Sequence, residues 1–421
     1  MKPFTRSFAA DFLTGDNSVH RPLTNNRMIY KIALWVLLLI SILVLIRLAP
    51  ILTKPEIIPS DDFVRIWAAG KLNLQGENPF DPIRIEQLQI EVGDYKSGLN
   101  ANSIMLNPPW AIPLVMPFGL FNYPLSRLAW LITSTFLILI SSHMLWLIYS
   151  HNPKHHWLVL ISVFIFAPTI SVLEKGQITV LILLGITGFV YFSVINRNDW
   201  LAGVFLALAS IKPQMIVLFW IVLLIWIIQQ RRWLIIISTS ISVLSLTLLA
   251  MIFNPHIIEQ YLGMLQSYQI SDWAVPTIGS YLRFFWLGTQ RFWLQFLPVM
   301  LGGIWVIYYW YRHHKSWNWV DELPIILLVS MVVSPYSWTY DLVILVPAMV
   351  LATILIATDW KRWTTLLLAI LFLGISLLDL VLHMKLDDFW FIWVAPALLI
   401  WFLLVRWQYP KPQNWTSVPI A

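Results

Sequence analysis

The strongest constraint on this chain is a succession of apolar runs, many near twenty residues long and separated by short polar breaks, that begins at Met28 and continues to near Trp407. A membrane-spanning helix needs roughly 20 such residues, so these runs read as a series of crossings. Composition agrees: 59% of the 421 residues are apolar and 11% are charged. Soluble domains carry about a quarter charged residues, which excludes a water-soluble enzyme. Little chain is left for a soluble domain, so any chemistry must sit in short loops and at helix ends.

The order of charges orients the crossings. Residues 1–29 are polar and basic, with Lys2, Arg6, Arg21 and Arg27, and the apolar run to Leu48 follows. A cleavable signal has a shorter leading region and a small-residue cleavage site. The expectation is therefore an uncleaved first span with a cytoplasmic N-terminus. Alternate connections carry Lys154, Arg197, Arg231, Arg232, Arg312, Lys315, Lys361 and Arg362, while the others offer Lys175, Lys212 and Lys385. The positive-inside rule makes the first set cytoplasmic. The predicted fold is thus an all-α polytopic bundle with about 12 transmembrane helices over residues 30–407. It has a large outer loop at 51–104 and a cytoplasmic tail at 408–421. The net charge of +6 follows from this topology and does not call for a nucleic acid partner. There are no cysteines, which removes thiolate metal sites and thiol nucleophiles.

Two stretches are too short to cross. Between Asn198 and Gln230 both ends carry cytoplasmic markers, yet Lys212-Pro213 interrupts the middle. About twelve helical residues rise only ~18 Å, short of a ~30 Å hydrocarbon core. The segment from about Leu323 to Val333, ahead of Ser334-Pro335-Tyr336, is short in the same way. Broken helices are tolerated where their freed backbone lines a cavity, so a cavity facing outward is expected, with Lys212 at its floor.

The polar residues outside the basic loops then gather on that outer side. They include Asp61, Asp62, Arg65, Glu174, Gln177, Lys212, Gln214, Arg283, Tyr336, Trp338, His383 and Asp388. Ionisable groups at membrane depth are functional candidates by default. Asp61 and Asp62 open DDFVRIWAAG, in which Phe63, Ile66, Trp67 and Gly70 fall on one stripe of a helix. This predicts an amphipathic interfacial helix with one Asp near its N-cap. Either carboxylate is also suited to take a proton from an incoming hydroxyl. The prolines of Asn107-Pro108-Pro109-Trp110, with Pro113 and Pro117, argue against an ordinary helix there. The Walker, dinucleotide-binding and HExxH metalloprotease motifs do not occur, and no metal site is expected.

The ordered motifs DFVRIWAAG (62–70), GENPFDP (76–82), NPPWAIPLVMPFGLF (107–121), EKGQITVLILLG (174–185), AGVFLALASIKPQ (202–214) and SPYSW (334–338) together resemble glycosyltransferase family 87. These are polyprenyl-phosphate-mannose-dependent, alpha-1,2-mannosyltransferase-like enzymes of the GT-C fold. The resemblance implies a cell-membrane hexosyltransferase acting on the outer face, with no cofactor beyond the lipid-linked sugar. Its partners would be that donor, membrane lipids and a lipid or glycan acceptor. It also implies Asp62 as general base, with Lys212 and Gln177 at family positions. Relatives carry histidine shortly after Ser-Pro-x-Ser-Trp, whereas this chain has Tyr340-Asp341.

The site expected on these grounds has Asp62, with Asp61 beside it, as the catalytic carboxylate. Lys212 and Arg283 would hold the donor phosphate, with Gln177, Gln214, Trp338 and Tyr336 lining the sugar pocket. A secondary transporter or lipid flippase, which also needs broken helices and buried charge, is the alternative from another class; a non-catalytic scaffold is a third.

Overall fold

The computed structural model describes residues 62–92, 104–150, 156–268, 273–357 and 363–409, together with Ile42 and Ile46. Most of the expected first span, the N-terminal tail, the C-terminal tail beyond Tyr409 and Asp61 lie outside the described residues.

All regular structure among the described residues is helical. The chain opens with α1 (Phe63–Leu74) and α2 (Pro82–Glu91), then α3 (Ile112–Gly119) and α4 (Tyr123–Tyr149). Next come α5 (His156–Phe164), α6 (Ala167–Lys175), α7 (Thr179–Val190), α8 (Asp199–Ala209) and α9 (Val217–Gln230). They are followed by α10 (Trp233–Phe253), α11 (Ile257–Ser267), the single turn α12 (Ile278–Tyr281), α13 (Leu297–His313) and α14 (Trp319–Val333). The last are α15 (Val346–Ala357), α16 (Trp363–Leu382) and α17 (Val394–Gln408).

Among the described residues, seven helical segments are long and apolar enough to span a membrane, and eight if α5 and α6, bent by 59°, count as one crossing. The protein is therefore a polytopic helical membrane protein. The expected dozen full-length helices is not what these residues display. Thr179–Ile195 and α8 are apolar but short, and α14 has 15 residues. The segment Thr339–Ala357 lies almost wholly inside the bundle. By contrast α10 leaves Ile241, Leu244, Leu248 and Ile252 exposed along one side, a stripe at helical spacing suited to lipid.

Two local expectations are corrected. The helix after Asp62 is not an amphipathic element lying on the interface. Phe63, Val64, Ile66, Trp67, Ala68, Ala69, Gly70, Leu72 and Asn73 are all buried, so α1 is enclosed nearly all round. It packs tightly on α3: a Cβ on Gly70 would stand 2.9 Å from Val115 O, and one on Gly119 would stand 2.6 Å from Lys71 N. The proline-rich stretch does form a helix, because Pro109–Ala111 makes a single 3-10 turn and Pro113 falls in the first turn of α3. First-turn N–H groups have no partner within a helix, so only Pro117 interrupts the ladder.

Candidate active site

The local sequence explains how Lys212 leaves its helix. Proline excludes the preceding residue from the α region, and Lys212 adopts φ −129°, ψ 68° between α8 and the 3-10 turn Pro213–Ile216. Its side chain is thereby released from the helix surface. A second turn places Gln177. Gly176 takes the left-handed conformation (φ 63°) at the end of α6, which suits a residue without Cβ, and Gln177 N–H closes back on Val172 O at 3.1 Å. The fully buried Arg127 braces this turn by donating to Leu173 O and Glu174 O at 2.9 and 2.7 Å. Trp130 Nε1 donates to Gly176 O at 2.8 Å.

The two turns meet at Asp62. Gln177 Nε2 donates to Asp62 Oδ2 at 2.6 Å, and Lys212 Nζ donates to Gln177 Oε1 at 3.3 Å. One amide thus joins a carboxylate to an ammonium, and its orientation follows from its partners, since only the amide oxygen can accept from Lys212. Asp62 occupies the N-cap position of α1 but accepts no backbone hydrogen bond there. The capping role open to it from sequence is not used; instead Arg65 Nη2 lies 3.1 Å from its Oδ1.

Lys212 also donates to Thr179 Oγ1 at 3.2 Å and to Asp341 Oδ1 at 3.0 Å, and its Nζ stands 5.4 Å from the centre of the Tyr340 ring. Thr179 Oγ1 donates to Asp341 Oδ1 at 2.6 Å, while Asp341 Oδ2 accepts from Trp338 N–H at 3.0 Å. The two carboxylates differ in access. The Asp62 side chain is 20% exposed and that of Asp341, which still borders the cavity, 3%.

These groups border a cavity of about 460 Å³. Arg65, Gln177, Lys212, Gln214, Tyr336, Trp338, Tyr340 and Asp341 line it, with Trp110, Trp273 and Phe292 among its aromatic walls. Asp62 adjoins it through Arg65 and Gln177. Burial works against the charge of Arg65, but Asp62, Tyr340 and Asp341 hold its proton above the ordinary value. It stays a cation at any physiological pH. Burial pushes the Tyr336 hydroxyl up to about 12, against a pull downward from Arg283, so it remains a neutral phenol.

Arg283 is placed elsewhere. It is fully buried and absent from the cavity wall, donating to Gln295 Oε1 and Thr289 O, both at 3.0 Å. Gln295 Nε2 in turn donates to Pro335 O. Arg283 therefore braces the Ser334–Trp338 turn from behind Tyr336, one side chain back from the cavity. Arg65 supplies a second cation on the wall.

Four residues absent from the expected site belong to it: Arg65, Thr179, Tyr340 and Asp341. Arg65 was signalled by its spacing, since i and i+3 share a helix face. Thr179 carried no sequence signal, and Tyr340-Asp341 stood out only as a departure from the family pattern, because the partners of all three are distant in the chain. Behind Trp338 a further cluster appears. Asp388 accepts from Thr339 N–H at 3.2 Å and from the Thr339 hydroxyl, and His383 Nε2 lies 2.8 Å from Asp388 Oδ1. On the other side His383 Nδ1 donates to the main-chain O of Asp379, a residue buried within α16, at 2.9 Å and lies 3.1 Å from its Oδ1.

A multispanning helical bundle with carboxylate and cations beside one substrate-sized cavity defines a class, the integral-membrane enzyme. The chain belongs to glycosyltransferase family 87, whose family model matches residues 106–335, more than half of the 421. It is accordingly a glycosyltransferase. The matched stretch contains Gln177, Lys212, Gln214 and Arg283; Asp62, Arg65, Trp338 and Asp341 fall outside it. Comparison with curated proteins and with solved structures returns no match.

Proposed function

We propose that the protein transfers a sugar, mannose by its family resemblance, from a polyprenyl-phosphate donor to a hydroxyl of a lipid or glycan acceptor on the outer face of the membrane. The observation that carries this reading is the Asp62–Gln177–Lys212 relay beside the cavity. Asp62, the more exposed of the two carboxylates, takes the proton from the acceptor hydroxyl. That oxygen forms a bond to the anomeric carbon as the bond from this carbon to the phosphate oxygen breaks. The departing polyprenyl phosphate keeps the electron pair, and Arg65 and Lys212, both on the cavity wall, offset its charge. Such preorganised cations act where charge develops. Direct displacement inverts the anomeric centre. Trp338, Tyr336, Gln214 and Gln177 border the space left for the sugar.

The test is sugar transfer by purified protein in nanodiscs supplied with polyprenyl-phosphate sugars and membrane extract, with the product identified by mass spectrometry. Asp62→Asn should lower the rate by about 10²- to 10⁴-fold, the usual contribution of a positioned base, while donor binding persists. Near-wild-type transfer by Asp62→Asn, with loss in Asp61→Asn, would move the base to the neighbouring residue. Uptake of labelled sugar into proteoliposomes without any glycosylated product would replace the transferase reading with a transporter.

A further inference from the structure

A second cleft, of about 660 Å³, lies next to the cavity, between the 78–82 turn and α11. The two spaces share Ile104 in their walls, and α11 divides them. It gives Tyr261 and Leu265 to the cavity, and Glu259, Gln260, Gly263 and Ser267 to the cleft. Asn78, Asp81, His256 and Tyr268 complete the polar lining among the described residues. Nothing in the transfer step described above uses this cleft.

Its walls are held in place. Asn254 Nδ2 donates to Glu77 O at 3.0 Å and to Gln260 Oε1 at 2.7 Å, joining the start of α11 to the turn. The Phe80 and Tyr261 rings stand 5.2 Å apart across the same junction. Along α11, Ile258, Leu262 and Leu265 are exposed at i, i+4 and i+7, one apolar stripe. Glu259, Gln260, Gly263 and Ser267 form the opposing polar one. A helix of this pattern suits a membrane surface: Ile258 and Leu262 face outward, Leu265 meets the cavity, and the polar stripe faces the cleft.

Charge separates the two spaces. The inner cavity carries Arg65 and Lys212, whereas the cleft has the carboxylates of Asp81 and Glu259, His256 beside Glu259 at 3.6 Å and, among the described residues, no Lys or Arg. A phosphate is favoured in the first and repelled by the second. Carboxylates, amides and hydroxyls arranged beside an aromatic ring instead suit a neutral polyhydroxylated ligand, which donates many hydrogen bonds and brings no charge. The cleft volume falls in the range of about 300–1,000 Å³ typical of ligand sites.

We propose that this cleft is a glycan-binding subsite that holds the inner sugars of a neutral oligosaccharide acceptor while its terminal hydroxyl reaches past Ile104 to Asp62. The assignment of an acceptor rests on the proposed transferase reading; the binding of a neutral oligosaccharide does not.

Gly263 provides the test, because a Cβ built there meets nothing within 4 Å. Gly263→Phe projects a ring into the cleft without displacing the protein, and an unchanged melting temperature verifies that. Wild type and variant in nanodiscs are titrated by native mass spectrometry with neutral oligosaccharides of three to six hexoses, with the matching monosaccharides and with a polyprenyl-phosphate hexose. At least one oligosaccharide should bind wild type and bind Gly263→Phe tenfold or more weakly, with the donor unaffected. In transfer assays the variant should raise KM for an oligosaccharide acceptor with little change in kcat, and Glu259→Gln should do so more mildly. Absence of oligosaccharide binding to wild type, equal binding to the variant, or preference for anionic glycans overturns the proposal. If the donor fails to bind wild type while oligosaccharide binding still depends on Gly263, the transferase reading falls and the glycan subsite stands.

Discussion

Replacing Asp341 by alanine strands the Lys212 ammonium in a nearly dry site, and its cost can be worked from the geometry. Nζ and Oδ1 are 3.0 Å apart with side chains 13% and 3% exposed. At an effective dielectric constant of about 20, opposite charges at that distance attract by about 5–6 kcal/mol. Both groups gave up hydration to be there, so the net worth of the pair is smaller than this figure. Removing one partner nevertheless leaves the other charge buried, which costs about 3–5 kcal/mol. Gln177 Oε1 and Thr179 Oγ1 still accept from Lys212, placing the expected loss near the lower end, about 3 kcal/mol. Lys212→Met should cost a similar amount, because it leaves the Asp341 carboxylate with only neutral donors, the Thr179 hydroxyl and Trp338 N–H. The double variant removes both charges, so it should fall short of the sum by about 2 kcal/mol or more. The assay is reversible unfolding in mixed micelles of dodecylmaltoside and sodium dodecyl sulfate, followed by tryptophan fluorescence. Single losses that add within about 0.5 kcal/mol would refute a coupled pair at this position.

Burial lowers the proton affinity of His383, but its hydrogen bonds and proximity to Asp379 and Asp388 prevail, raising its pKa from 6.5 to about 9. A raised folded-state value means the protonated ring stabilises the protein fully below about pH 6.5 and that this contribution disappears as pH climbs through about 9. The melting-temperature difference between wild type and His383→Gln should shrink across that window; a difference constant in pH would contradict it. Gly119→Ala drives a methyl into the backbone of Lys71 and should destabilise by about 1–3 kcal/mol. Gly374→Ala on α16 meets nothing and should stabilise by up to about 1 kcal/mol, both read by the same unfolding assay. Arg65→Gln should weaken binding of the polyprenyl-phosphate donor tenfold or more with little loss of fold stability, whereas Arg283→Met should lower stability first. The opposite ordering in donor titrations and melts would return Arg283 to the phosphate.

Much of the bundle was legible because its causes are local. The break at Lys212-Pro213 follows from proline sterics, and α8 ends within a few residues of where that argument stops it. The turn at Gly176-Gln177 was visible as a motif, and its geometry gives the reason a glycine stands there. The site was legible only where one residue sufficed. Arg283 and Arg65 look alike in sequence, each an arginine beside aromatic or apolar neighbours, and burial against Gln295 or exposure to the cavity is decided by helices far along the chain. Asp341 stood out as a departure from the family pattern, yet its partner Lys212 lies 129 positions away. Asp379 was hidden inside an apolar run, where nothing pointed to the histidine one turn on. The burial of α1 was misjudged for the same reason: its apolar stripe was readable, while the partners covering its other faces were not.

The enclosure of α1 has a consequence for how this protein can vary. The carboxylate assigned to proton removal sits on the first residue before a rod clamped against α3 at Gly70 and Gly119, so its position is inherited from backbone contacts about two turns, roughly 12 Å, further along the helix. Substitutions among Ala68, Ala69 and Gly70, none of which approaches a ligand, should therefore shift turnover as surely as changes in the chamber itself, and random mutagenesis ought to find inactive clones clustered there.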